Sequence, residues 1–328
     1  MDGVLILRHV SVQNANAIAG TTWGFPAIAN FLGFTHALQR QFAAKSDLTE
    51  LALLGCGIVC HSHQVQAHKT HEYADHVFAL TRNPLDKTGK SSSFVEEGRM
   101  HMDVSLVIPF EAFIEGKHER IAIESVLKTL ALRLRLAGGT ILDIKKAELW
   151  TAKDDEEENT KLSRRIMRSL LPGFALVSRQ AALAEHQQTR KEQPGTLADY
   201  DCPSTDMQAW LEFSSLTAKP LGNNDNDEQA AKTEWALEKR PYTGWLRPIA
   251  VGYKAISPLY QPGEVANVRD GETPVRFVET LYSLGEWLSP HRIKRIEQLY
   301  WYYRQDESRG YYQCTNDYSA TQPQTESA

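Results

Sequence analysis

The chain of 328 residues, 42% of them hydrophobic, is long enough to bury one large core or two smaller ones. Its formal net charge of −5 argues against a generally basic nucleic-acid-binding protein, but the acids are clustered, as at 154–158, so a local basic surface is still compatible with the total. We find no apolar run of about 18 residues and no signal-peptide pattern, so we expect no membrane association. Four cysteines without a C-x-x-C pair favour a cytoplasmic protein with reduced thiols.

Strand-like and helix-like segments alternate in the first half of the chain. Trp23-Gly24-Phe25-Pro26 is typical of a helix start, and apolar residues at helical spacing follow it, with Gly33 in mid-helix, where we expect close packing. Residues 66–99 are typical of an inserted β-hairpin with a polar tip. The predicted elements are a strand at 4–12, a helix after Pro26, strands at 51–65 and 102–110, a helix from about Glu119 and a strand from Thr140.

The order β-α-β-β-α-β predicts an α+β fold with a ferredoxin-like core of the RRM type, in which two helices cover one face of an antiparallel sheet. The other face is expected to be free for binding. The aromatic RNP signature is missing, so base stacking on the sheet is not implied. We expect this core, with its inserted β-hairpin, to span 1–150. A mixed, partly helical and loop-rich region is expected over 151–328, with a C-terminal helix from Ser289-Pro290 and a frayed tail.

Two features are expected on one rim of this core. Gly138 and Gly139 follow the second helical segment, where such a pair ends a helix and lets a sugar-phosphate approach closely, although an ordinary glycine cap explains it without any ligand. Gln13, Asn14 and Asn16 follow the first strand, and their amides can contact base edges. Because the last strand is predicted to lie beside the first, the glycine pair and the amides are expected to be neighbours.

A basic stripe follows the acidic cluster. Lys161, Arg164, Arg165 and Arg168 recur at helical spacing on one face. Such a stripe is often only a solvated helix face, but four cations with no acid among them are equally compatible with phosphate contact.

A search for catalytic and metal-binding chemistry gives no convergent set of residues. The histidines between 61 and 76 are spaced H-x-H-x4-H-x2-H-x4-H, which matches no zinc signature. No P-loop and no G-x-S-x-G elbow are present, and the adjacent Glu96 and Glu97 would point to opposite faces of a strand. We therefore predict no catalytic residue, no metal and no cofactor.

Several sequence motifs, in a fixed order along 4–303, resemble those of a known family. They include Thr22-Trp-Gly-Phe-Pro26, Arg135-Leu-Ala-Gly-Gly-Thr-Ile-Leu142 and Gly285-Glu-Trp-Leu-Ser-Pro-His-Arg292. Words of this length, in this order, resemble the second Csy subunit of the type I-F CRISPR surveillance complex, its Cas-five-type member. The likeness is weakest in the histidine-rich segment at 66–76, at 150–160, at 185–240 and in the tail.

The resemblance implies a RAMP-type protein that holds the 5′ handle of the CRISPR RNA and forms a heterodimer with the large subunit. It also implies contact with the backbone RAMP subunits and with target DNA near one end of the complex. In this subtype a different RAMP subunit cleaves the precursor RNA, so a non-catalytic role is implied. Two alternatives stay open: a RAMP endoribonuclease that uses His36 or His61 as base, and a scaffold that contacts only protein.

The residues expected to contact RNA are the amides and glycines of the rim, a tryptophan that can stack on a base, a histidine, and cations for the phosphates. They are Gln13, Asn14, Asn16, Trp23, His36, Arg40, Arg82, Arg99, Arg135, Gly138, Gly139, Arg164, Arg168 and Arg269. One or two of the arginines are equally compatible with simple pairing to carboxylates. Bulk at Gly139 is expected to impair RNA binding more than folding.

Overall fold

The structure is a computed structural model and describes residues 1–45, 50–82, 85, 88–153, 155–192, 205–215, 218–220, 235–237, 242–268 and 270–318. The helices in these residues are α1 (Ile28–Lys45), α2 (Gly116–Ala131), α3 (Glu156–Ser169), α4 (Gln180–Glu192) and α5 (Thr205–Ser214). The strands are β1 (Gly3–Asn16), β2 (Ile18–Ala19), β3 (Thr22–Trp23), β4 (Ala52–Leu53), β5 (Cys56–Val65), β6 (Ala67–Lys69), β7 (His76–Phe78), β8 (Leu80–Arg82), β9 (Phe94–Glu96), β10 (Arg99–Glu111), β11 (Arg135–Leu136), β12 (Gly139–Thr151), β13 (Phe174–Ser178), β14 (Ala218–Pro220), β15 (Trp235–Leu237), β16 (Leu246–Ala255), β17 (Val278–Leu288), β18 (Tyr300–Asp306) and β19 (Tyr311–Asn316).

Eleven of the described strands form one sheet, in the order β11-β12-β1-β10-β5-β13-β17-β16-β19-β18 with β4 beside β10. Its strands pair antiparallel, and β1 pairs along most of its length with both β10 and β12. Strand β5 pairs with β10 on one side and with both β13 and β18 on the other. The strands from β5 to β18 therefore close into a ring. The prediction of an α+β fold is confirmed, and the sheet runs on from the first predicted region into the second.

Helices α1 and α2 cover one face of this sheet. Helix α1 begins shortly after Pro26, and its Phe31, Leu38 and Phe42 are buried in the same core as sheet residues such as Leu7. Because successive strand residues point to opposite faces, β1 and β10 contribute every second residue to this core over long stretches.

Helix α2 lies along β12, and its polar side chains reach the backbone of that strand. Glu124 Oε1 accepts a hydrogen bond from the Leu149 N–H at 2.8 Å, and Lys128 Nζ donates to the Lys145 carbonyl at 3.5 Å. These backbone groups are therefore satisfied by the helix and not by another strand.

The prediction that the opposite face is free is wrong for part of the sheet. Helix α3 is capped by Asp155, whose carboxylate accepts from the Glu157 N–H at 3.1 Å, and its Met167 packs in one cluster with Ile6 and Val107 of that face. The cause lies in the strands, which are apolar on both faces near this end and must be covered twice. The rest of this face is polar.

The sequence predicts a helix–strand corner at the glycine pair. The structure has a β-hairpin there instead. Helix α2 ends at Ala131, and β11 pairs with β12 across a two-residue turn. Ala137 and Gly138 occupy this turn with φ of 51° and 74°. Two positive φ values are characteristic of the type I′ turn that suits the twist of a hairpin.

Two further differences concern the segments at 66–99 and 289–303. The first contains two consecutive hairpins, β6–β7 and β8–β9, where one was predicted. In the second, the predicted C-terminal helix is wrong: short 3-10 turns at Pro290–Arg292 and Ile296–Leu299 lead into β18. The tail after residue 318 and the 193–204 segment lie outside the described residues.

Helix α1 gives one more correction. Gly33 is exposed, and a Cβ atom there would meet no atom within 4 Å, so the expected close packing at Gly33 is wrong. In the part of the chain that the structure describes, no helix has the length and apolar character needed to span a membrane.

Candidate nucleic-acid interface

The end of β1 and the β11–β12 turn lie side by side. We call this region, Gln13–Asn16 with Ala137–Gly138, the rim. The Asn16 N–H donates to the Ala137 carbonyl at 2.8 Å, and Gln13 is in register with Thr140. The structure therefore brings together the amides and the glycine turn in the arrangement that the sequence predicted, while their role in RNA binding stays a prediction.

Asn14 is an outward-facing residue of the rim. A β-bulge between Val12 and Ala15 places Asn14 at a φ of 56°, a region that asparagine tolerates better than most residues. Its side chain is exposed, and its Oδ1 accepts from Gln66 Nε2 at 2.8 Å. Gln66 Nε2 also lies 3.1 Å from Nε2 of His101, so an amide and imidazole group extends the rim onto β10.

Asn16 has a different role. Its Oδ1 accepts from the Ile18 N–H at 3.0 Å, and its Nδ2 donates to the Ile18 carbonyl at 2.8 Å. Both ends of this amide hold the start of the β2–β3 hairpin, so the structure uses Asn16 to position the hairpin that carries Trp23.

The two glycines of the turn are not equivalent. Gly138 is exposed, and a Cβ there would meet no atom within 4 Å, whereas a Cβ at Gly139 would lie 2.7 Å from Cγ1 of Val12 and 2.8 Å from the backbone of Ala15. The expectation that bulk at Gly139 mainly impairs RNA binding is therefore wrong, because bulk there collides with β1 first. Arg135 is exposed, and its Nη1 donates to the Gly138 carbonyl at 3.2 Å.

Arg99 and Trp23 flank the rim. Arg99 is half-buried, with Nε donating to Glu97 Oε2 at 2.9 Å, so part of its charge is already neutralised. Trp23 is 50% exposed, and its ring centroid lies 5.5 Å from that of Phe78 and 6.1 Å from that of His76. An exposed tryptophan in an aromatic group is available for stacking, which a buried one would not be.

The other predicted residues lie apart from the rim or outside the described residues. His36 and Arg40 are on the exposed side of α1, where His36 lines a hollow beside Tyr302 and Tyr303. Arg269 and the side chain of Arg82 lie outside the part of the chain that the structure describes.

The basic stripe of α3 is divided between two kinds of contact. Lys161 pairs with Glu157 at 2.8 Å, and the Arg165 guanidinium lies 5.1 Å from the ring centroid of Trp150. Arg164 and Arg168 are exposed and line a hollow together with cationic and imidazole side chains. The imidazole and the further cation of this basic hollow are His291 and Lys294, and the apolar Met167 and Ile293 also line it.

Sequence reasoning missed an imidazole cluster on the polar part of the sheet face. His9 has a φ of 47° at a second bulge in β1, and its ring is stacked on that of His61 with centroids 4.2 Å apart. His9 Nδ1 is 2.9 Å from Asp103 Oδ2, and Ser105 Oγ lies 2.7 Å from His61 Nε2. Only a bulge brings His9 to this face, and the alternation of β1 gives no signal for it.

The cluster is arranged for structural contacts. His61 Nδ1 is 2.6 Å from the Pro172 carbonyl, which can only accept, so Nδ1 carries the proton and Nε2 accepts from the Ser105 hydroxyl. Burial, followed by the like charges of His9 and Arg8, lowers the pKa of His61 despite the hydrogen bond to Pro172. With both nitrogens engaged, His61 has no lone pair left for a substrate proton.

A partly buried ion pair lies next to this cluster. Arg8 donates from Nε to Glu148 and from Nη1 to the Ser169 carbonyl, the latter at 2.8 Å. Burial alone would raise the pKa of Glu148, but the hydrogen bonds from Arg8 and Lys146 outweigh it and lower the pKa. Arg8 thus ties the end of α3 to the sheet. Among the described residues, no group of three or more His, Cys, Asp or Glu side chains could hold a metal ion.

Comparisons with known proteins agree with the resemblance noted in the sequence. Residues 5–314 match the family model described as CRISPR-associated protein (Cas_Csy2). The chain is also similar to the CRISPR-associated protein Csy2 of Pseudomonas aeruginosa (strain UCBPP-PA14), with 41% identity over 319 residues. That alignment covers 95% of this chain and 94% of the relative, and the family match over 5–314 spans the rim, the basic stripe and the imidazole cluster.

Proposed function

Because the chain belongs to the CRISPR-associated Csy2 family, we propose that it is a non-catalytic RNA-binding subunit of a type I-F CRISPR surveillance complex. In this proposal it holds the 5′ handle of the CRISPR RNA and pairs with the large subunit. It adjoins the backbone RAMP subunits and the target DNA near one end of the complex, where pairing by the guide reads the target sequence.

The order of the core elements supports a ferredoxin-like, RAMP-type assignment. Strands β12, β1, β10 and β5 are neighbours in that order, and α1 and α2 lie on one face. A β-α-β-β-α-β chain with its first and third strands at the centre has this arrangement. We therefore assign β1, α1, β5, β10, α2 and β12 to such a core.

The rim is the observation that supports RNA binding most directly. It presents exposed amide groups at Gln13 and Asn14 and an open turn at Gly138, and the hairpin beside it carries the half-exposed Trp23. Single-stranded RNA is recognised by hydrogen bonds to base edges and by stacking on aromatic rings, and this edge offers both.

The second candidate function, a RAMP endoribonuclease, is favoured by one observation, the stacked His9 and His61 beside the Ser105 hydroxyl. General acid–base catalysis needs a nitrogen that is free to accept the substrate proton. Both nitrogens of His61 are engaged, which supports the non-catalytic proposal. Incubation with labelled precursor RNA separates the two functions: cleavage that disappears in His61→Ala or His36→Ala would overturn the proposal.

RNA binding is tested with the full chain and a labelled 5′-handle RNA at fixed salt, because affinities depend steeply on salt. Asn14→Gly removes the amide and keeps the positive φ without strain. We expect about a fivefold loss of affinity, as for one lost hydrogen bond. Asn267→Gly is the matched control, since Asn267 is also exposed and has a φ of 58°. If wild-type protein bound an unrelated RNA of equal length as tightly as the handle, the proposal would fail.

A further inference from the structure

A cavity of about 200 Å³ lies where the β2–β3 hairpin, β5, β13 and β16 meet. At about 30 Å³ per water, it has the room of roughly six or seven water molecules, and it is smaller than the roughly 300 Å³ that drug-sized ligands require. One planar ring system fits a space of this size.

Aromatic side chains form much of its wall. Trp23 and Trp245 are each 50% exposed, and Phe174 is 43% exposed. Phe174 and Trp245 pack edge to face with centroids 5.2 Å apart, and Phe25 and Trp287 do so at 4.9 Å. These edge-to-face pairs orient the indoles of Trp245 and Trp287, Phe78 does the same for Trp23, and half of Trp23 and of Trp245 stays uncovered.

One cation stands at this cavity. Arg247 is exposed, lines the cavity and has no acidic partner among the described residues. Its guanidinium lies beside Gly24, where a Cβ atom would be 3.8 Å from Nη2 of Arg247. An unpaired guanidinium beside aromatic rings suits a ligand that is both planar and anionic.

The β2–β3 hairpin connects the rim to the cavity. Asn16 holds the start of the β2–β3 hairpin, and Trp23 at the end of that hairpin lines the cavity. Trp23 is in register with Ile18, two residues after Asn16, so an RNA strand bound at the rim passes close to the cavity.

We propose that this cavity takes a single unstacked nucleobase of a bound RNA strand, stacked on Trp23 or Trp245, while Arg247 contacts an adjacent phosphate. The proposal rests on the proposed RNA-binding function and adds to it a site for one base of the strand. Base–aromatic stacking accepts any base, so the size of the cavity and not a hydrogen-bond code selects what enters.

The test is an abasic scan. Handle RNAs that lack one base at a time are titrated against the wild-type chain and against Trp245→Ala. We expect one position where loss of the base lowers the affinity of the wild type roughly 5- to 100-fold. At that position, loss of the base should lower the affinity of Trp245→Ala little further, because the variant already lacks the ring on which the base stacks. Trp245→Phe should retain most of the binding. Trp235→Ala, at a tryptophan 64% exposed in β15, is the matched control and should behave as the wild type.

The phosphate contact of Arg247 is tested by the salt dependence of RNA affinity. For single strands, one phosphate contact contributes about 0.7 to the slope of log affinity against log salt, so Arg247→Gln should reduce that slope by about this amount. Arg304→Gln, at an exposed arginine of β18, is the control.

The outcomes are separable. If the wild type does not bind the handle, the proposed function and this inference fail together. If it binds but the scan shows additive losses at every position, only the base site fails. If Trp245→Ala weakens binding to the large subunit and leaves the scan unchanged, the cavity takes a protein side chain and the inference is wrong. Should Trp245→Ala melt early, Trp23→Ala replaces it in the same scan.

Discussion

At the scale of single residues, His61 shows how a side chain can resemble a catalytic base and serve the fold. Its imidazole bridges the Pro172 carbonyl and the Ser105 hydroxyl, and thereby fastens the segment after α3 to the sheet. In the neutral form Nε2 accepts from the Ser105 hydroxyl; protonation turns Nε2 into a donor, so the hydroxyl must turn and accept instead.

We therefore expect pH-dependent stability at His61. Its pKa in the folded chain is lowered from the ordinary 6.5 by burial first and then by His9. An unfolded chain takes up the proton more readily, so the stabilisation is present above about pH 6.5 and is lost as the pH falls through the folded-state value. Denaturant titrations between about pH 7 and about pH 5 should show a flatter dependence in His61→Gln than in the wild type. An unchanged slope would contradict this.

The control for that measurement is His118→Gln, at an exposed histidine of α2. It should leave both the free energy of unfolding and its pH dependence close to those of the wild type.

Residue roles that depend on distant pairings could not be read from the sequence. The rim was predictable because strand ends and a glycine pair are local signals. Trp245 and Arg247 were missed, since they meet Trp23 only through the β16–β17 and β13–β17 pairings. His9 was missed because a bulge turns it toward His61.

At the scale of elements, hydrophobic periodicity predicted the first half of the fold well. The strand at 4–12 lies within β1, and the stripe of α1 is buried as its spacing indicated. The predicted C-terminal helix is wrong because Ile293, Ile296 and Leu299 have the spacing of a helical apolar stripe without forming a helix. There, the aromatic run of β18 pairs with β5 and imposes a strand that local spacing does not show.

Helix α1 allows a direct test of helix propensity. Gly33→Ala should stabilise the chain by about 1 kcal/mol, because the glycine is exposed in mid-helix and the new methyl group meets nothing within 4 Å. Urea denaturation measures the gain. Gly116→Ala, at the start of α2, also has open space but a φ of 73°, so it should destabilise instead. Equal effects at the two sites would contradict this account.

At the scale of the whole molecule, a group of exposed apolar side chains lies near the start of β17. Ile256 is 66% exposed, Leu259 49%, Phe277 50% and Val278 47%. The Ile256 N–H donates to the Phe277 carbonyl at 3.0 Å, which holds the two ends of this patch together. Monomeric proteins seldom expose such a cluster without an interaction at it.

We expect this patch to contact the large subunit. Ile256→Ser with Phe277→Ser should reduce co-purification of the large subunit at least tenfold, because hydrophobic anchors dominate interface energies. Phe113→Ser, at a phenylalanine 77% exposed after β10, is the control. Undiminished co-purification of a folded double variant would show that the interface lies elsewhere.

The contacts between α2 and β12 limit how neighbouring subunits can attach. Beyond its two residues paired with β11, β12 presents a long unpaired edge among the described strands, which is normally a template for strand addition by another chain. Glu124 and Lys128 already occupy backbone groups along that edge, and Lys145 and Lys146 add charge to it. Growth of a multi-subunit assembly by merging sheets is thus discouraged here. We expect a partner at this edge to dock through side chains and loops, which would leave the register of the sheet unchanged.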